Sequence, residues 1–377
     1  MTVQISEPPN RIPPNRDDER EGIHAMEFRK ARQRTKQMNL IAFVMLLLFS
    51  FTVTPFVFAA SVQVIPGGQT IGIQIQSQGL LVVGKYRVND QDANPTVRVG
   101  DRIMSVNGSK VTNVNDFRSI VQELGAAKKE VTLTIVRDGT QMNATLIPQY
   151  DASMKTYRAG LYVRDQTIGI GTLSFIVPEQ HLYGALGHPI TDPDSKSLVP
   201  ITKGLIFPAD VTGFRKGTSG IPGEKHAQWS NSQAPSGTIE RNTRFGIFGT
   251  WNNNSTLDVL KTTPMQVALP NEVHVGDAEL LTSIHDNKVE HFKVQIIQTV
   301  PQAEPEVKSM LIKVTDERLL TQTGGIVQGM SGSPIVQDGK LVGVLTHVLV
   351  NQPTVGFAAY MEWMLREAGV IGKQNAA

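Results

Sequence analysis

The sequence predicts a mainly β protein in which an apolar helix precedes a small α/β module and a larger all-β unit. Three observations support this fold class. Residues 40–60 form one long apolar run, and between about 72 and 150 a single helical pattern lies among short alternating strands. From 155 to 377, short strands separated by Gly, Pro and Asn turns dominate, which favours a β-sandwich or a pair of barrels. The length of 377 residues agrees with two or three domains.

Residues 38–60 are predicted to be a transmembrane anchor. From Leu40 to Ala60 the chain is apolar apart from three hydroxyl residues, and about 20 apolar residues span a bilayer core. Basic residues cluster just before this run, so the polar tail 1–37 is expected to be disordered and cytoplasmic, with everything after residue 60 exported. A cleaved signal peptide is the alternative, but the run is long and the preceding tail exceeds that of most signal peptides. The basic residues are Arg29, Lys30, Arg32, Arg34 and Lys36.

Composition excludes several function classes. The formal net charge is only +2, so nucleic acid is not an expected partner. The chain has no cysteine, which excludes a Cys nucleophile, thiolate metal ligands and disulfides. Its eight histidines form no His-Glu-x-x-His pattern. We therefore predict neither a metal site nor a cofactor.

The α/β module, residues 72–150, contains one helix. Asn113 is its predicted N-cap, Asp116 occupies the capping-box position and Gly125 suits the C′ position. The run from Val99 to Gly108 (VGDRIMSVNG) resembles a PDZ signature. That resemblance implies capture of peptide C-termini by strand addition at a sheet edge, with backbone amides holding the carboxylate. The corresponding loop in this chain is Gly79, Leu80, Leu81 and Val82.

Residues 61–71 are predicted to be a flexible linker between the anchor and the PDZ module. They contain Pro66-Gly67-Gly68, and exposed flexible backbone is what a peptidase cleft accepts. We therefore expect self-cleavage between Ser61 and Thr70.

The segment from Gly329 to Pro334 (GMSGSP) presents Ser331 between glycines just before a hairpin closed by Asp338-Gly339. It resembles the nucleophile loop of chymotrypsin-like serine peptidases, where small residues let the backbone bend and direct N–H groups at a developing oxyanion. A plain Gly/Ser surface turn is the alternative reading.

A serine nucleophile needs a base, and the base needs an orienting group. His188 lies among glycines after a predicted strand, and His347 is its chief rival. For the orienting carboxylate, Asp316 ends an apolar strand shortly before the serine loop. Asp192 and Asp194 follow His188 closely and remain alternatives.

Several segments together resemble the stage IV sporulation protein B family of membrane-anchored, PDZ-containing serine peptidases. The resemblance implies a chymotrypsin-like double β-barrel over 155–377, with His188 as base, Asp316 as orienter and Ser331 as nucleophile. It also implies that the N–H groups of Gly329 and Ser331 line the oxyanion hole. Met330 stands where digestive relatives carry an aspartate that anchors a new N-terminus, so activation by that route is not expected. The segments are 160–165, 169–175, 183–192 and 324–351.

The family resemblance further implies a signalling role during endospore formation. Exported into the space between the two forespore membranes, such a peptidase cuts a membrane-bound regulatory subunit of an intramembrane metalloprotease complex. That metalloprotease then processes a sigma factor in the mother cell. Two other readings stay open: a non-catalytic PDZ adaptor, and an HtrA-like quality-control protease, although such proteases usually carry the PDZ domain after the peptidase.

Overall fold

The computed structural model describes residues 62–372, except 193–197, 231, 258 and 303, together with Arg32. The predicted membrane anchor, 38–60, therefore lies outside the described residues, as does the tail 1–37 apart from Arg32. Among the helices that the structure does describe, none is both long enough and apolar enough to cross a bilayer.

Strands dominate the described chain, as predicted. The helices are α1 (Val114–Ala126), α2 (Glu317–Thr323) and α3 (Met361–Ala368), and short 3-10 turns cover Pro178–Gln180 and Pro270–Glu272. The strands are β1 (Gln63–Pro66), β2 (Thr70–Lys85), β3 (Arg102–Val106), β4 (Ser109–Lys110), β5 (Val131–Arg137), β6 (Thr140–Leu146), β7 (Gln149–Asp151), β8 (Thr156–Arg158), β9 (Leu161–Val177), β10 (Leu182–Leu186), β11 (Lys203–Pro208), β12 (Asp210–Arg215), β13 (Glu224–Gln228), β14 (Gly237–Ile239), β15 (Arg241–Thr243), β16 (Gly246–Thr250), β17 (Met265–Gln266), β18 (Gly276–His285), β19 (Lys288–Thr299), β20 (Met310–Val314), β21 (Pro334–Gln337), β22 (Lys340–Leu349) and β23 (Gln352–Tyr360).

The first β-unit is built around the first half of β2 and the second half of β9. β2 pairs with β9 and β11, while β9 pairs with β10, which in turn pairs with β16. β14 pairs with β11, and a bridge between Gly237 and Trp251 joins its start to the end of β16. These strands enclose a buried apolar core because their inward positions are Ile, Leu and aromatic residues: Ile71, Ile73, Leu173, Tyr183 and Ile247 among them.

The second β-unit is a closed barrel of six antiparallel strands, in the order β18, β19, β20, β23, β22 and β21. Closure leaves no unpaired edge, which suits strands this rich in apolar residues. Its core includes Phe292, Ile312, Ile335, Val344 and Ala358, all at most 1% exposed. α3 packs against this barrel and buries Met364 and Leu365.

The PDZ module is an insertion into the first β-unit. β2 and β9 run on beyond the first β-unit, where Val82 pairs with Val163 and Leu80 pairs with Ile103 of β3. Leu80 and Val82 belong to the module's own core with Ile103, Phe117 and Leu133, whereas Ile71, Ile73 and Ile75 belong to the core of the first β-unit. The predicted module, 72–150, therefore includes residues 72–76 of β2, which pack in the core of the first β-unit.

The predicted linker, 61–71, is also corrected by the structure. β1 pairs with β9 and β17, and the N–H groups of Gly67 and Gly68 donate to the carbonyls of Ser174 and Leu173. Residues 64–70 are all buried. The Pro66-Gly67-Gly68 sequence, read as flexible, instead continues along β9 between β1 and β2.

The predicted helix of the PDZ module is confirmed at its start. The Asn113 side chain accepts a hydrogen bond from the N–H of Asp116, as an N-cap does. Gly125 lies inside the helix rather than at C′: a Cβ there would sit 2.4–2.6 Å from the ring of Tyr157, so a side chain is excluded by β8.

Candidate active site

Ser331 lies in the segment 328–332, here called the oxyanion loop, between α2 and β21. Gly332 has φ +92°, and a Cβ on it would lie 2.4 Å from the Thr172 carbonyl oxygen and 2.5 Å from the Leu186 nitrogen. Only glycine therefore lets β9 and the end of β10 approach the loop this closely. The Thr172 N–H donates to the Ser331 carbonyl, and the Ser174 hydroxyl donates to the Gly332 carbonyl.

His188 follows β10 and reaches the serine. Leu186 and Gly187 both have positive φ, which turns the chain abruptly at the end of the strand. Nε2 of His188 lies 2.9 Å from Oγ of Ser331, and Nδ1 lies 2.9 Å from the carbonyl oxygen of Pro189. A carbonyl only accepts, so Nδ1 carries the proton and Nε2 is free to accept one from the serine. The predicted proximity of His188 and Ser331 is thus present.

The environment of His188 favours the neutral imidazole. Burial lowers its pKa below the ordinary value, and the hydrogen bond to the Pro189 carbonyl opposes that shift only in part. A neutral imidazole near pH 7 is the form that a general base requires.

The structure does not place Asp316 against His188. Asp316 caps α2: its carboxylate accepts from the N–H groups of Lys293 and Arg318 and pairs with the Arg318 guanidinium at 3.0 Å. The Arg318 hydrogen bonds are the main reason that the Asp316 pKa falls to about 2, against the opposing effect of burial. The prediction that Asp316 orients the imidazole is therefore corrected, since the Pro189 carbonyl occupies that position.

The other candidates lie as follows. Asp192 is buried, and its charge acts on Arg102 of the PDZ module; Asp194 lies outside the described residues. The ring of His347 is 5.5 Å from that of His188. Desolvation, followed by the charges of His188 and Lys308, lowers the pKa of His347 to about 4 although part of its side chain stays open to solvent. His347 therefore neighbours the base rather than replacing it.

Two backbone donors stand free at the serine. In the described part of the chain, no hydrogen bond uses the N–H of Gly329 or of Ser331, whereas the N–H groups of Met330 and Gly332 are both taken up. Gly329 and Ser331 line the same cleft as His188. These are the two N–H groups expected to form the oxyanion hole.

The cleft beside the serine has a volume of about 460 Å³. β22 forms one wall through Leu345 to Val348, and Ile326 and Val327 form another. β9 contributes the segment 167–170. Among the described residues of the lining, the ionisable side chains are those of His188 and His347.

The predicted PDZ ligand loop, Gly79 to Val82, is not at a free edge. Leu81 pairs with Arg102 on one side and with Arg164 on the other, so no strand can be added there. A separate groove of about 490 Å³ lies between α1 and the start of β9. Its lining includes Phe117, Val121, Leu161, Tyr162 and Val163.

A family model described as SpoIVB peptidase S55 matches residues 155–365, more than half of the chain. The chain belongs to the SpoIVB peptidase S55 family. A PDZ domain model matches residues 69–147. This S55 peptidase is thus a serine endopeptidase with a PDZ domain, which agrees with a His188–Ser331 pair beside two free backbone donors.

Solved structures similar to this S55 peptidase cover parts of it. The Rv3671c protease from M. tuberculosis, in its active form, is 12% identical, with 56% of this chain and 77% of that chain covered and a TM-score of 0.32. The PDZ domain of an SdrC-like protein from Listeria monocytogenes is 15% identical, with 24% and 93% covered and a TM-score of 0.21. An HtrA-type protease, AlgW, with a tripeptide is 13% identical, with 53% and 54% covered and a TM-score of 0.28.

Sequence reasoning missed three contributors to the site. Pro189 follows the base directly, but its carbonyl role depends on the turn made by Leu186 and Gly187. Thr172 and Ser174 hold the oxyanion loop through a strand far away in sequence. No local pattern marks these contacts, since Thr172 and Gly329 lie 157 residues apart in the sequence.

Proposed function

We propose that this S55 peptidase is a membrane-tethered regulatory endopeptidase that cleaves a membrane-bound regulator during endospore formation. Ser331 acts as nucleophile and His188 as base. The observation that carries the catalytic part is the 2.9 Å contact between His188 Nε2 and Ser331 Oγ beside the free N–H groups of Gly329 and Ser331.

The chemistry follows from this geometry. Ser331 Oγ attacks the scissile carbonyl while its proton moves to Nε2 of His188, and the oxyanion forms beside the N–H groups of Gly329 and Ser331. His188 then gives the proton to the leaving amine, the C–N bond breaks, and an acyl-enzyme remains on Ser331. Water, deprotonated by the same nitrogen, then attacks the acyl carbonyl. The bond to Ser331 Oγ breaks as His188 returns the proton to that oxygen, and the acid product leaves. The Pro189 carbonyl keeps the imidazole in the tautomer that this sequence needs.

Substrate recognition is divided between two surfaces. The cleft is walled by Ile326, Val327, Leu345 and Val348, so it suits an uncharged, apolar side chain next to the scissile bond. The groove between α1 and β9 offers an apolar floor beside a strand edge, the arrangement by which PDZ domains hold peptide C-termini. We assign partner binding to this groove rather than to Gly79–Val82.

The cellular role is proposed from family membership. We propose that the peptidase domain acts outside the cytoplasm of the forespore, in the intermembrane space, and that its substrate is a membrane-bound subunit of an intramembrane metalloprotease complex. Cleavage there would release processing of a mother-cell sigma factor. In sporulating cells, the Ser331→Ala variant should accumulate the intact regulator and the unprocessed sigma factor.

A fluorophosphonate probe tests the catalytic assignment. Wild-type protein should be labelled, and both Ser331→Ala and His188→Ala should lose labelling. Ser153→Ala, an exposed serine of the PDZ module, is the matched control and should label normally. Absence of labelling in the wild type would favour the non-catalytic adaptor. Broad degradation of unfolded casein by the labelled enzyme would favour the quality-control protease.

Fluorescence polarisation with a library of C-terminal peptides tests the groove. Tyr162 is 56% exposed and lines it, so Tyr162→Asp should weaken binding at least tenfold. Met142→Asp, exposed on β6 away from the groove, should bind as the wild type does. Equal binding by Tyr162→Asp and wild type would remove the groove from the proposal.

A further inference from the structure

Lys225, on β13, is the most unusual charged residue in the described chain. Its side chain is 2% exposed, and Nζ makes its hydrogen bonds to the hydroxyls of Thr70 and Thr282, at 3.2 and 3.3 Å. Within the described residues no carboxylate pairs with it. Burying an amine without a counter-ion lowers the stability of the fold. We therefore ask what this lysine contributes to function.

Lys225 lies directly behind the oxyanion loop. Its N–H donates to the carbonyl of Gln328 at 2.8 Å, and the N–H of Gln328 donates back to Gly223 at 2.9 Å. A Cβ on Gly329 would be only 3.0 Å from Cβ of Lys225. The hairpin of β12 and β13 thus forms the surface against which the free donor Gly329 rests.

The far end of the side chain reaches both β-units. Thr70 begins β2 of the first unit, and Thr282 lies on β18 of the closed barrel. Nζ therefore joins three elements: the hairpin, the first β-unit and the second. The His188 base comes from the first unit, whereas Ser331 precedes β21 of the second, so this junction lies between the elements that carry the two reacting groups.

We propose that Lys225 is a positioning residue of the oxyanion loop: by tying the β12–β13 hairpin to Thr70 and Thr282, its buried amine fixes Gly329 where its N–H meets the oxyanion. The proposal rests on the proposed role of Ser331. It also accounts for Met330, which is fully buried and supplies no carboxylate for an inserted N-terminus. An internal amine then orders the loop without a proteolytic activation step.

The first test measures catalysis. Lys225→Met keeps the length of the side chain and removes its hydrogen bonds, and Lys216→Met, an exposed lysine of the same hairpin, is the matched control. With p-nitrophenyl acetate, and active sites counted by fluorophosphonate titration, Lys225→Met should lower kcat about 10- to 100-fold with KM within twofold, somewhat less than deletion of an oxyanion donor. A kcat per active site equal to that of Lys216→Met would overturn the proposal.

The second test is independent of activity. Hydrogen exchange in peptides covering 325–333 should quicken at least tenfold in Lys225→Met, while peptides from β19 and β20 keep wild-type rates. If Lys225→Met fails to fold, Thr282→Val and Thr70→Val each remove one partner hydroxyl at constant shape, and both should quicken exchange in 325–333. Wild-type exchange there in these variants would also overturn the proposal. If the fluorophosphonate probe does not label the wild type, but hydrogen exchange in 325–333 still depends on Lys225, the result contradicts the proposed function and leaves the role of Lys225 in ordering the loop intact.

Discussion

At the scale of single residues, the Asp316 carboxylate is bound by Lys293 and Arg318, and His188 is held by the Pro189 carbonyl instead. Asn is as good an N-cap as Asp, and the Arg318 guanidinium, 58% exposed, can be hydrated once its ion pair with Asp316 is lost. Asp316→Asn should therefore keep the fold and lose far less than the ~10⁴ in kcat seen when an orienting aspartate is replaced.

The pH dependence of kcat/KM checks this directly. Burial lowers the pKa of His188, so activity should rise with pH through a pKa below 6.5 and then level off. Asp316→Asn should leave that pKa unchanged because the Pro189 carbonyl is the partner of Nδ1. If folded Asp316→Asn loses ~10⁴ in kcat, or if the pKa of His188 shifts in this variant, Asp316 does orient the imidazole.

The buried amine of Lys225 makes the free energy of unfolding depend on pH. Burial lowers its pKa from 10.5 to about 7, and the groups facing Nζ are the uncharged hydroxyls of Thr70 and Thr282. Between about pH 7 and 10.5 the unfolded chain binds the proton and the folded chain does not, so this residue makes the free energy of unfolding rise with pH.

Lys225→Met should remove that rise. Thermal melting at pH 7 and pH 10 should show a more positive change for wild type than for Lys225→Met, with Lys216→Met following the wild type. Parallel curves for all three proteins would mean that Lys225 keeps an ordinary pKa in the fold.

At the scale of elements, α1 packs closely against β8 because Gly125 has no side chain. Gly125→Ala would gain up to about 1 kcal/mol in helix propensity, but its Cβ would lie 2.4–2.6 Å from the Tyr157 ring. Overpacking of this kind costs about 1–3 kcal/mol. The clash outweighs the propensity, so Gly125→Ala should lower Tm.

Ser119→Ala provides the matched control, since Ser119 is exposed on the same helix and should gain slightly in stability. A higher Tm for Gly125→Ala would show that β8 moves away from α1 at little cost.

At the scale of the whole molecule, the segment expected from the sequence to be cut is part of the first β-unit. Residues 64–70 are buried and paired with β9, and a cleft accepts only exposed, extended backbone. Wild-type and Ser331→Ala proteins digested with a trace of external protease should both keep the peptide bonds from 64 to 70 intact. N-terminal sequencing of self-processed protein should place any self-cleavage upstream of residue 62. A fragment beginning between 65 and 71 would contradict this.

Patterns of local sequence predicted the parts that depend on neighbouring residues. The Asn113 cap, the Asp338-Gly339 hairpin and the approach of His188 to Ser331 all agree with the structure. The packing of residues 70–76 in the first β-unit was not predictable in this way, because these residues alternate like any half-buried strand and their partner on β9 lies about 90 to 100 residues away. Asp316 was misread for a related reason: an acid at a strand end resembles an orienter and an N-cap equally.

The insertion of the PDZ module into β2 and β9 has a consequence for the order of folding. Thr70 pairs with Thr172, and closing so long a loop in one step carries a large entropic cost. Within the module, Val82 pairs with Val163, so a module that has already folded holds the adjoining parts of β2 and β9 side by side. The pairing of β2 with β9 in the first β-unit then closes only a short loop. A domain that looks like an attachment to the enzyme would in this way act as its folding nucleus, and weakening its core would slow the appearance of the active site.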